Sequence, residues 1–414
     1  MRETQEALGD QYDPLGQHLA DPYPFYKHAQ RETPIFYSSS LGLWVVTRLA
    51  EAKKVLRDGQ TFSSVNVLRP LAPLSPQILP VLFGGYPPVP VFVVMDGEEH
   101  KQQRQPWAAG FGPDRVEMVK QYLTDRATAL ADELSAGTSG DLMTDYASPL
   151  TVSVVCHMLG FAPADHDALG DDTRKAATLA MGHAFLSDDE QVEAAESWVR
   201  SQELIGRYVA QRRAEPRDDL ISQAISAYAP HGEALSEDEE AELVGAIFGV
   251  TLAGHITPAA MLADGVLRLL GHPEQWQLLC DWPGLIPNAF EEIARFCTPE
   301  HIFLRQATED TTLAGQDLAA GSEVAVWLAA ANRDEAAFDR PDEFDITRTR
   351  RIGHVAFGHG PHYCIGVALA RLEVEVSLRI LTERFPKLRL VPGQPVISRP
   401  SLAHRGPITV PVTW

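Results

Sequence analysis

One long apolar helix constrains the fold of this chain more than any other feature. Its start is marked by Ser236-Glu-Asp-Glu239, a capping box, and its end by Gly271-His-Pro273. At 1.5 Å per residue, a helix over this stretch is roughly 50 Å long. Helices of this length in soluble enzymes usually lie at the centre, so we expect the rest of the chain to pack around it.

The remaining pattern predicts one mainly α domain, residues 1–414, with a minor β part. Helical periodicity dominates between residues 113 and 270, and β-rich segments fall mainly within 35–60, 300–330 and 385–414. A final helix is predicted over 365–384. Residues 62–94 are rich in proline and leucine, too irregular for a helix and too apolar for a solvated loop. We interpret them as a wall or lid over an apolar pocket.

Composition excludes several classes of function. The 414 residues are 45% hydrophobic and carry a formal net charge of −21, which disfavours binding to nucleic acid or to an anionic membrane surface. No apolar run reaches the roughly 20 residues of a membrane span. The four cysteines show no C-x-x-C pairing, and the polar start resembles no secretory leader. We therefore expect a cytoplasmic protein, and a monomer.

The residues around one cysteine are suited to metal binding. Cys364 lies on a glycine-rich turn, Phe357-Gly-His-Gly-Pro-His-Tyr-Cys-Ile-Gly366, directly before the predicted final helix. Glycines let this backbone take positive φ and come close to a flat cofactor. The N–H groups of the following helix lower the basicity of the sulfur. The turn is thus suited to hold a metal-bound thiolate, although a buried structural cysteine is the simpler alternative.

Taken with upstream features, this turn resembles the signature of the cytochrome P450 family, F-G-x-G-x-H-x-C-x-G. The resemblance extends over essentially the whole chain, from DPYPFYK to RGPITVPVTW. It implies a mainly α-helical fold shaped as a triangular prism, with haem b bound through Cys364 as the axial iron ligand. Phe357, Gly358 and Gly366 would surround the cofactor on the same side.

The resemblance also assigns roles to charged residues. The two haem propionates would be held by four basic side chains from separate regions, His100, Arg104, Arg305 and His362. Glu292 and Arg295 would form the family's structural E-x-x-R pair. Glu343 stands where the family often has an arginine that completes this network, so we expect Arg295 to bind mainly Glu292 and backbone carbonyls.

Ala253-Gly-His-Ile-Thr257 in the long helix is similar to the family's oxygen-binding motif. Ala253 and Gly254 would let the helix bulge and leave room for oxygen, and Thr257 would organise the water that delivers protons. A threonine bonded back to its own helix is the alternative. Ile256 replaces the usual acid and cannot carry a proton. We expect a substrate group, or water held by Thr257 and His255, to complete the relay.

For the substrate pocket, the resemblance indicates the 62–94 segment, the helix pair near 175–200, residues 247–257, and two short stretches. These stretches contain Ile302, Phe303 and Leu304, and then Ser401 and Leu402; His183 is a weaker polar candidate. Because these walls are mostly apolar, a hydrophobic small molecule of natural-product type is expected, free or bound to a carrier.

The predicted activity is that of a monooxygenase, with electrons from a separate ferredoxin or flavodoxin and its reductase. Candidate docking cations are Arg371, Arg379 and the cluster Arg348, Arg350 and Arg351. Two alternatives remain open. The protein could be a peroxide-driven or substrate-assisted oxidase, a hypothesis motivated by Ile256, or a haem-binding sensor or carrier without turnover.

Overall fold

The computed structural model describes residues 8–349, 353–398 and 400–414, and for residues 180–183 it describes the backbone alone. Helices dominate, as predicted. Their bounds are α1 Tyr23–Glu32, α2 Leu49–Arg57, α3 Leu79–Leu82, α4 Gly97–Gly110, α5 Pro113–Ser135, α6 Ser148–Leu159, α7 His166–Gly182, α8 Asp188–Ala214, α9 Leu220–Tyr228, α10 Glu237–Leu270, α11 Pro273–Asp281, α12 Ile286–Cys297, α13 Leu328–Ala331 and α14 Val367–Arg384.

The long helix α10 has the predicted bounds. Ser236 and Glu239 form both hydrogen bonds of the capping box, and the 34 residues that follow are helical without a break. It packs against α6, α8, α12 and α14, which makes it the central element of the core. Within the described residues it alone is long and apolar enough to cross a membrane, but 72% of its most apolar window is buried in the protein.

The strands form small sheets at the edge of the helical body. They are β1 Ile35–Ser38, β2 Leu43–Val46, β3 Phe62–Ser63, β4 Ser139–Asp141, β5 Ile302–Ala307, β6 Thr311–Leu313, β7 Gln316–Leu318, β8 Glu323–Trp327, β9 Arg389–Leu390, β10 Ile397–Ser398, β11 Pro407–Thr409 and β12 Pro411–Thr413.

The largest sheet has the order β1-β2-β8-β5-β3, in which β2 and β8 are parallel and the other neighbours antiparallel. A second sheet has the order β4-β12-β9. Strands β3 and β4 lie outside the predicted β-rich segments. Both are only two or three residues long, and each pairs with a strand far along the chain. Such pairing leaves no local alternation of apolar and polar residues to recognise.

The proline-rich segment lies across the helical body. Ile78 packs in a small apolar cluster with Leu179 of α7 and Ala195 of α8. Further along, the Tyr86 hydroxyl donates a hydrogen bond of 3.1 Å to Glu240 at the start of α10. The segment therefore spans three helices, consistent with a wall built over the centre of the protein.

Two glycines of α10 allow a matched test of its packing. A Cβ on Gly254 would lie 2.5 Å from Cγ2 of Val155 in α6, whereas a Cβ on Gly249 would meet nothing within 4 Å. Gly254→Ala should lower the free energy of unfolding by about 1–3 kcal/mol, because the two helices must move apart. Gly249→Ala should raise it by about 0.5–1 kcal/mol through helix propensity.

Urea denaturation of the two variants measures both effects. Equal shifts in the two unfolding free energies would contradict the close packing of α10 against α6.

Candidate functional site

The Cys364 turn is shaped by backbone hydrogen bonds and two left-handed glycines. The Cys364 N–H donates to the Phe357 carbonyl over 2.9 Å, and Gly358 N–H donates to the Val355 carbonyl over the same distance. Gly358 has φ of 72° and Gly360 has φ of 75°, where side chains are strained. Helix α14 starts at the residue after Gly366, two residues later than the sequence predicted.

Cys364 is an exposed residue, although packing around the thiol desolvates it. The residue is exposed, while burial of the site raises the pKa of the thiol. Two groups oppose this rise, the backbone N–H of Gly366 and the guanidinium of Arg104. Arg104 is itself held on the turn, where it donates a short hydrogen bond to the Tyr363 carbonyl. The thiol therefore lines an internal space in which a thiolate would be stabilised.

The four predicted propionate donors come together from three regions of the chain. The rings of His100 and His362 are 4.0 Å apart. Burial, His100 and Arg305 lower the pKa of His362 to about 3, and burial together with Arg104 lowers that of His100. Arg305 is 3% exposed, and burial lowers its pKa to about 10. Close packing of so many basic groups favours an anion between them.

Their hydrogen bonds leave room for such an anion. The Nε2 atom of His100 is buried and has no partner among the described residues. Among the described residues, the guanidinium of Arg305 makes one hydrogen bond, to the carbonyl of the neighbouring Leu304 at 2.7 Å. A buried cation with unused donors is costly without an acceptor. These residues therefore fit the two propionates of a haem, and Cys364 fits its iron.

Asp96 and Ser64 belong to this cluster and were missed by the sequence analysis. Asp96 accepts hydrogen bonds from the Ser63 hydroxyl at 2.5 Å and from the Ser64 N–H at 3.1 Å, and it lies 3.7 Å from His362. Ser64 Oγ is 2.9 Å from the same nitrogen of His362, Nε2. Asp96 occupies the residue before α4, a position where acids are common, and this was the signal available in the sequence.

The middle of α10 presents an accessible stripe inside an otherwise buried helix. Gly249 and Ala253 are exposed, and Gly245 and Thr257 are half-buried, although the residues between them are buried except for the half-buried Gly254. Residues four apart lie on one face of a helix, so the four form one surface. Val91 of the proline-rich segment would touch a Cβ on Gly245 at 3.3 Å. This face therefore borders an internal space covered by that segment.

The five residues of the predicted oxygen-binding motif lie on different faces of α10. Thr257 Oγ1 donates to the Ala253 carbonyl at 2.9 Å, which is the back-bonded alternative, and both residues lie on the accessible stripe. Helix α10 is continuous through the motif, and the bulge at Ala253 and Gly254 stays a prediction. Gly254 permits the contact with Val155 described above.

His255 and Ile256 point elsewhere. His255 is buried, with Nε2 2.8 Å from the Thr173 hydroxyl of α7, and its participation beside Thr257 stays a prediction. Two residues along a helix correspond to a rotation of about 200°. Ile256 is 7% exposed and borders a second cavity of about 640 Å³, whose rim includes Arg174 and Lys175 of α7. Pro258, which follows the motif inside α10, was also missed.

The Glu292–Arg295 pair is buried and has a third member. Two hydrogen bonds of 2.9 and 2.7 Å join the side chains, and Arg295 also donates to the carbonyls of Asn332, Pro341 and Glu343. Arg348 Nε lies 3.0 Å from Glu292 Oε2 and supplies the second arginine.

The sequence analysis looked for this arginine at position 343, five residues too early. The Glu343 side chain binds exposed Arg340 instead, at 2.6 Å. The signal for the correct residue was Arg348 at the end of the PDEFDITR stretch.

Residues predicted to line the substrate pocket are mostly packed in the core. Ile302, Leu304 and Leu402 belong to one buried cluster with Trp327. Ser401 is 1% exposed, and its hydroxyl accepts the His404 N–H at 3.1 Å. Phe303 is half-buried and lies 3.3 Å from the position of a Cβ on Gly358. Phe303 therefore lies against the Cys364 turn, and the pocket roles of all five stay predictions.

Two of the predicted docking cations are already neutralised. Arg348 is used by Glu292, and Arg371 forms a short ion pair with Glu291. Arg379 is exposed. Arg350 and Arg351 lie outside the described residues, as does the side chain of His183.

Comparison with known proteins agrees with this geometry. The family model for cytochrome P450 matches residues 284–403. The mycinamicin IV hydroxylase/epoxidase of Micromonospora griseorubida is 34% identical over 376 residues, 90% of this chain and 89% of that protein.

Solved structures show the same fold. The structure of cytochrome P450 CREJ in complex with (4-ethylphenyl) dihydrogen phosphate has a TM-score of 0.91 and 29% identity, covering 98% of this chain and 100% of that one. P450BioI with an acyl carrier protein bearing hexadec-9Z-enoic acid has a TM-score of 0.83 and 28% identity, covering 96% and 99%.

The buried network gives a testable prediction for stability. Glu292→Ala would leave Arg295 and Arg348 as buried cations without their carboxylate, so it should lower the free energy of unfolding by about 3–5 kcal/mol. Glu343→Ala removes an exposed pair and should cost less than about 1 kcal/mol. Guanidinium denaturation followed by circular dichroism measures both values, and a larger loss for Glu343→Ala would refute the assignment.

Proposed function

Because the chain belongs to the cytochrome P450 family, we propose that it inserts one oxygen atom from O2 into a bulky hydrophobic natural product, with electrons from a separate protein. The observation that carries this proposal is the convergence of His100, Arg104, Arg305 and His362 beside the accessible Cys364. Members of this family bind haem b and act as monooxygenases. The specific substrate, the electron donor and a cytoplasmic location are parts of the proposal.

The residues of this chain would hold the haem from two sides. Cys364 would bind the iron, and the four basic side chains would bind the propionates. Bound in this way, the haem would supply the activation of dioxygen for attack on a C–H bond or an alkene. The thiolate ligand favours this chemistry because it donates electron density to the iron.

The accessible stripe of α10 would form the distal wall of the substrate pocket. Its residues, Gly245, Gly249, Ala253 and Thr257, have small side chains. They extend from residue 245 to residue 257, about 18 Å of helix. A wall this long and this flat can accommodate a large substrate along the helix, and its mostly apolar character favours a hydrophobic one. Thr257 carries the one hydroxyl of this stripe.

The similarities suggest several substrate classes. One relative is named for mycinamicin IV, one solved structure holds an aryl phosphate, and another holds a fatty acid on a carrier protein. We propose that this chain acts on a natural product, as its antibiotic-related relative does, and that the product can be free or carrier-bound. A screen for compounds that shift the haem spin state would identify the substrate.

Thr257 and water beside it would deliver protons without an acid in the motif. Thr257 Oγ1 donates to Ala253, so its lone pairs remain available to accept from water in the internal space. Ile256 contributes no proton-carrying group and borders the cavity on another face of α10. This departure favours one second candidate function, a peroxide-driven oxidase, because peroxide already brings both oxygen atoms and protons. Turnover with hydrogen peroxide alone would identify that activity.

The thiolate ligand is tested by spectroscopy. The reduced protein with carbon monoxide should show the Soret shift of a haem thiolate, and Cys364→Ser should abolish that shift, because an alkoxide or neutral hydroxyl donates differently to iron. Cys280→Ser, at a partly buried cysteine far from the turn in sequence, should keep the shift. A folded wild-type protein that binds haem without the shift would contradict the proposed function.

The proton route is tested at positions 256 and 257. Thr257→Val should lower the yield of product per reducing equivalent by about a hundredfold, the lower end of the range for a lost general acid or base. Ile256→Glu should change that yield less than about twofold, because its carboxylate would be directed to the cavity beside Arg174 and Lys175. Ile256→Gln serves as the uncharged control. A several-fold higher yield for Ile256→Glu alone would instead show that the native route lacks an acid it needs.

A further inference from the structure

Glu300, two residues before β5, is an acid inside the protein that belongs neither to the Cys364 turn nor to the Glu292 network. Burial raises the pKa of its carboxyl group, and His404 lowers it in part. Nevertheless, 21% of the side-chain surface is accessible. A carboxyl group that is desolvated by the surrounding protein and still accessible borders an internal space. Such a group can keep a proton that an exposed glutamate would lose.

His404 lies between this carboxyl group and the second cavity. The backbones of Glu300 and His404 form an isolated antiparallel bridge, and His404 Nδ1 lies 3.7 Å from Glu300 Oε2. Nδ1 is buried and has no hydrogen bond among the described residues. A shift of about 0.5–1 Å would bring the two atoms to hydrogen-bond distance. His404 also lines the cavity of about 640 Å³ that Ile256 borders.

The second cavity connects His404 with the protein surface. Four charged residues of α7 on its wall are exposed, namely Asp167, Asp171, Arg174 and Lys175. The two acids and two bases give this rim no net charge, and they make it polar. A space of this size with polar groups on its wall accommodates several water molecules. Water in the cavity can therefore bring protons from solvent to His404.

The chain segment that carries His404 also packs against α10 near Thr257. A Cβ on Gly406 would lie 2.7 Å from Cβ of Ala260, which follows Thr257 by less than one helical turn. Bridge partners lie about 5 Å apart, and two residues of chain span about 7 Å at most. The backbone of Glu300 is thus held close to the Thr257 end of the accessible stripe.

Two further basic groups surround the pair. Burial lowers the pKa of His301 well below its usual value, and Arg405 and His404 lower it further. Arg405 stays charged, and its Nε donates to the Ser401 carbonyl at 3.1 Å. His301 is therefore held neutral and Arg405 permanently protonated. This leaves Glu300 and His404 as the groups of this cluster that can exchange a proton.

We propose that His404 and Glu300 form the proton relay that compensates for the missing acid at position 256. The inference rests on the proposed function. His404 accepts a proton from cavity water at one ring nitrogen and releases one from the other to the Glu300 carboxylate. Glu300 then passes a proton to the water beside Thr257. One proton enters from the cavity for each proton delivered, so neither side chain is consumed.

The yield of product per reducing equivalent tests the relay. Glu300→Gln and His404→Gln should each lower this yield by about a hundredfold, the lower end of the range for a lost general acid or base. The double variant should lose no more than either single variant, because both residues would act in one path. Glu309→Gln removes an exposed carboxylate with the same change in charge and should alter the yield less than about twofold.

Infrared difference spectroscopy of the haem-loaded protein reads the proton without turnover. Subtracting the Glu300→Gln spectrum from that of the wild type should leave the carbonyl stretch of a protonated carboxyl group. This band should persist just above the ordinary glutamate pKa of about 4.3, because burial raises the pKa of Glu300. The same subtraction with Glu309→Gln should show no such band. Other buried acids, such as Glu373, contribute equally to both spectra and cancel.

The outcomes separate this inference from the proposed function. An unchanged yield for Glu300→Gln, losses that multiply in the double variant, or absence of the carboxyl band overturns the relay. Weaker substrate binding by Glu300→Gln at an unchanged yield also overturns it and makes Glu300 an anchor for the substrate. In each case an intact thiolate Soret shift leaves the proposed function standing. Absence of that shift in folded, haem-loaded wild-type protein would instead remove the proposed function.

Discussion

The carboxylate of Glu292 is the point on which the arrangement of the Cys364 turn depends. It binds Arg295 and Arg348, and it also accepts the Asp345 N–H at 2.9 Å. Arg295 in turn donates to the Asn332 carbonyl, and Asn332 Oδ1 accepts the Val355 N–H at 2.8 Å.

The Val355 carbonyl then accepts the Gly358 N–H, and the Phe357 carbonyl accepts the Cys364 N–H. Hydrogen bonds thus connect a helix of the core to the sulfur-bearing residue without a break. Because Glu292 is buried with two arginines, removal of its charge should disturb the hydrogen bonds that lead from Arg295 to Cys364. A network without chemical activity of its own therefore determines where the proposed metal ligand lies.

Sequence reasoning identified the elements that carry local signals and missed those that depend on partners distant along the chain. Helix α10 and the Cys364 turn were predicted because a capping box, apolar periodicity and glycine spacing are all local. Arg348 was missed because its distance from Glu292 is set by the path of residues 332–348, which no periodicity describes. The packing role of Gly254 was missed, since only the fold shows that Val155 of another helix lies against it.

The angular positions of residues on α10 explain how one helix serves several purposes. Thr257 and Ala253 share the accessible stripe, Gly254 meets α6, and Ile256 borders a cavity on another side. Neighbouring residues on a helix differ by about 100°, so adjacent positions in the motif have independent surroundings. An isoleucine at 256 therefore changes neither the shape of the stripe nor the environment of the Thr257 hydroxyl. In the proposed function, the missing acid at 256 removes a proton carrier and leaves the substrate wall intact, so proton delivery would fall to Thr257 and the water that it would bind.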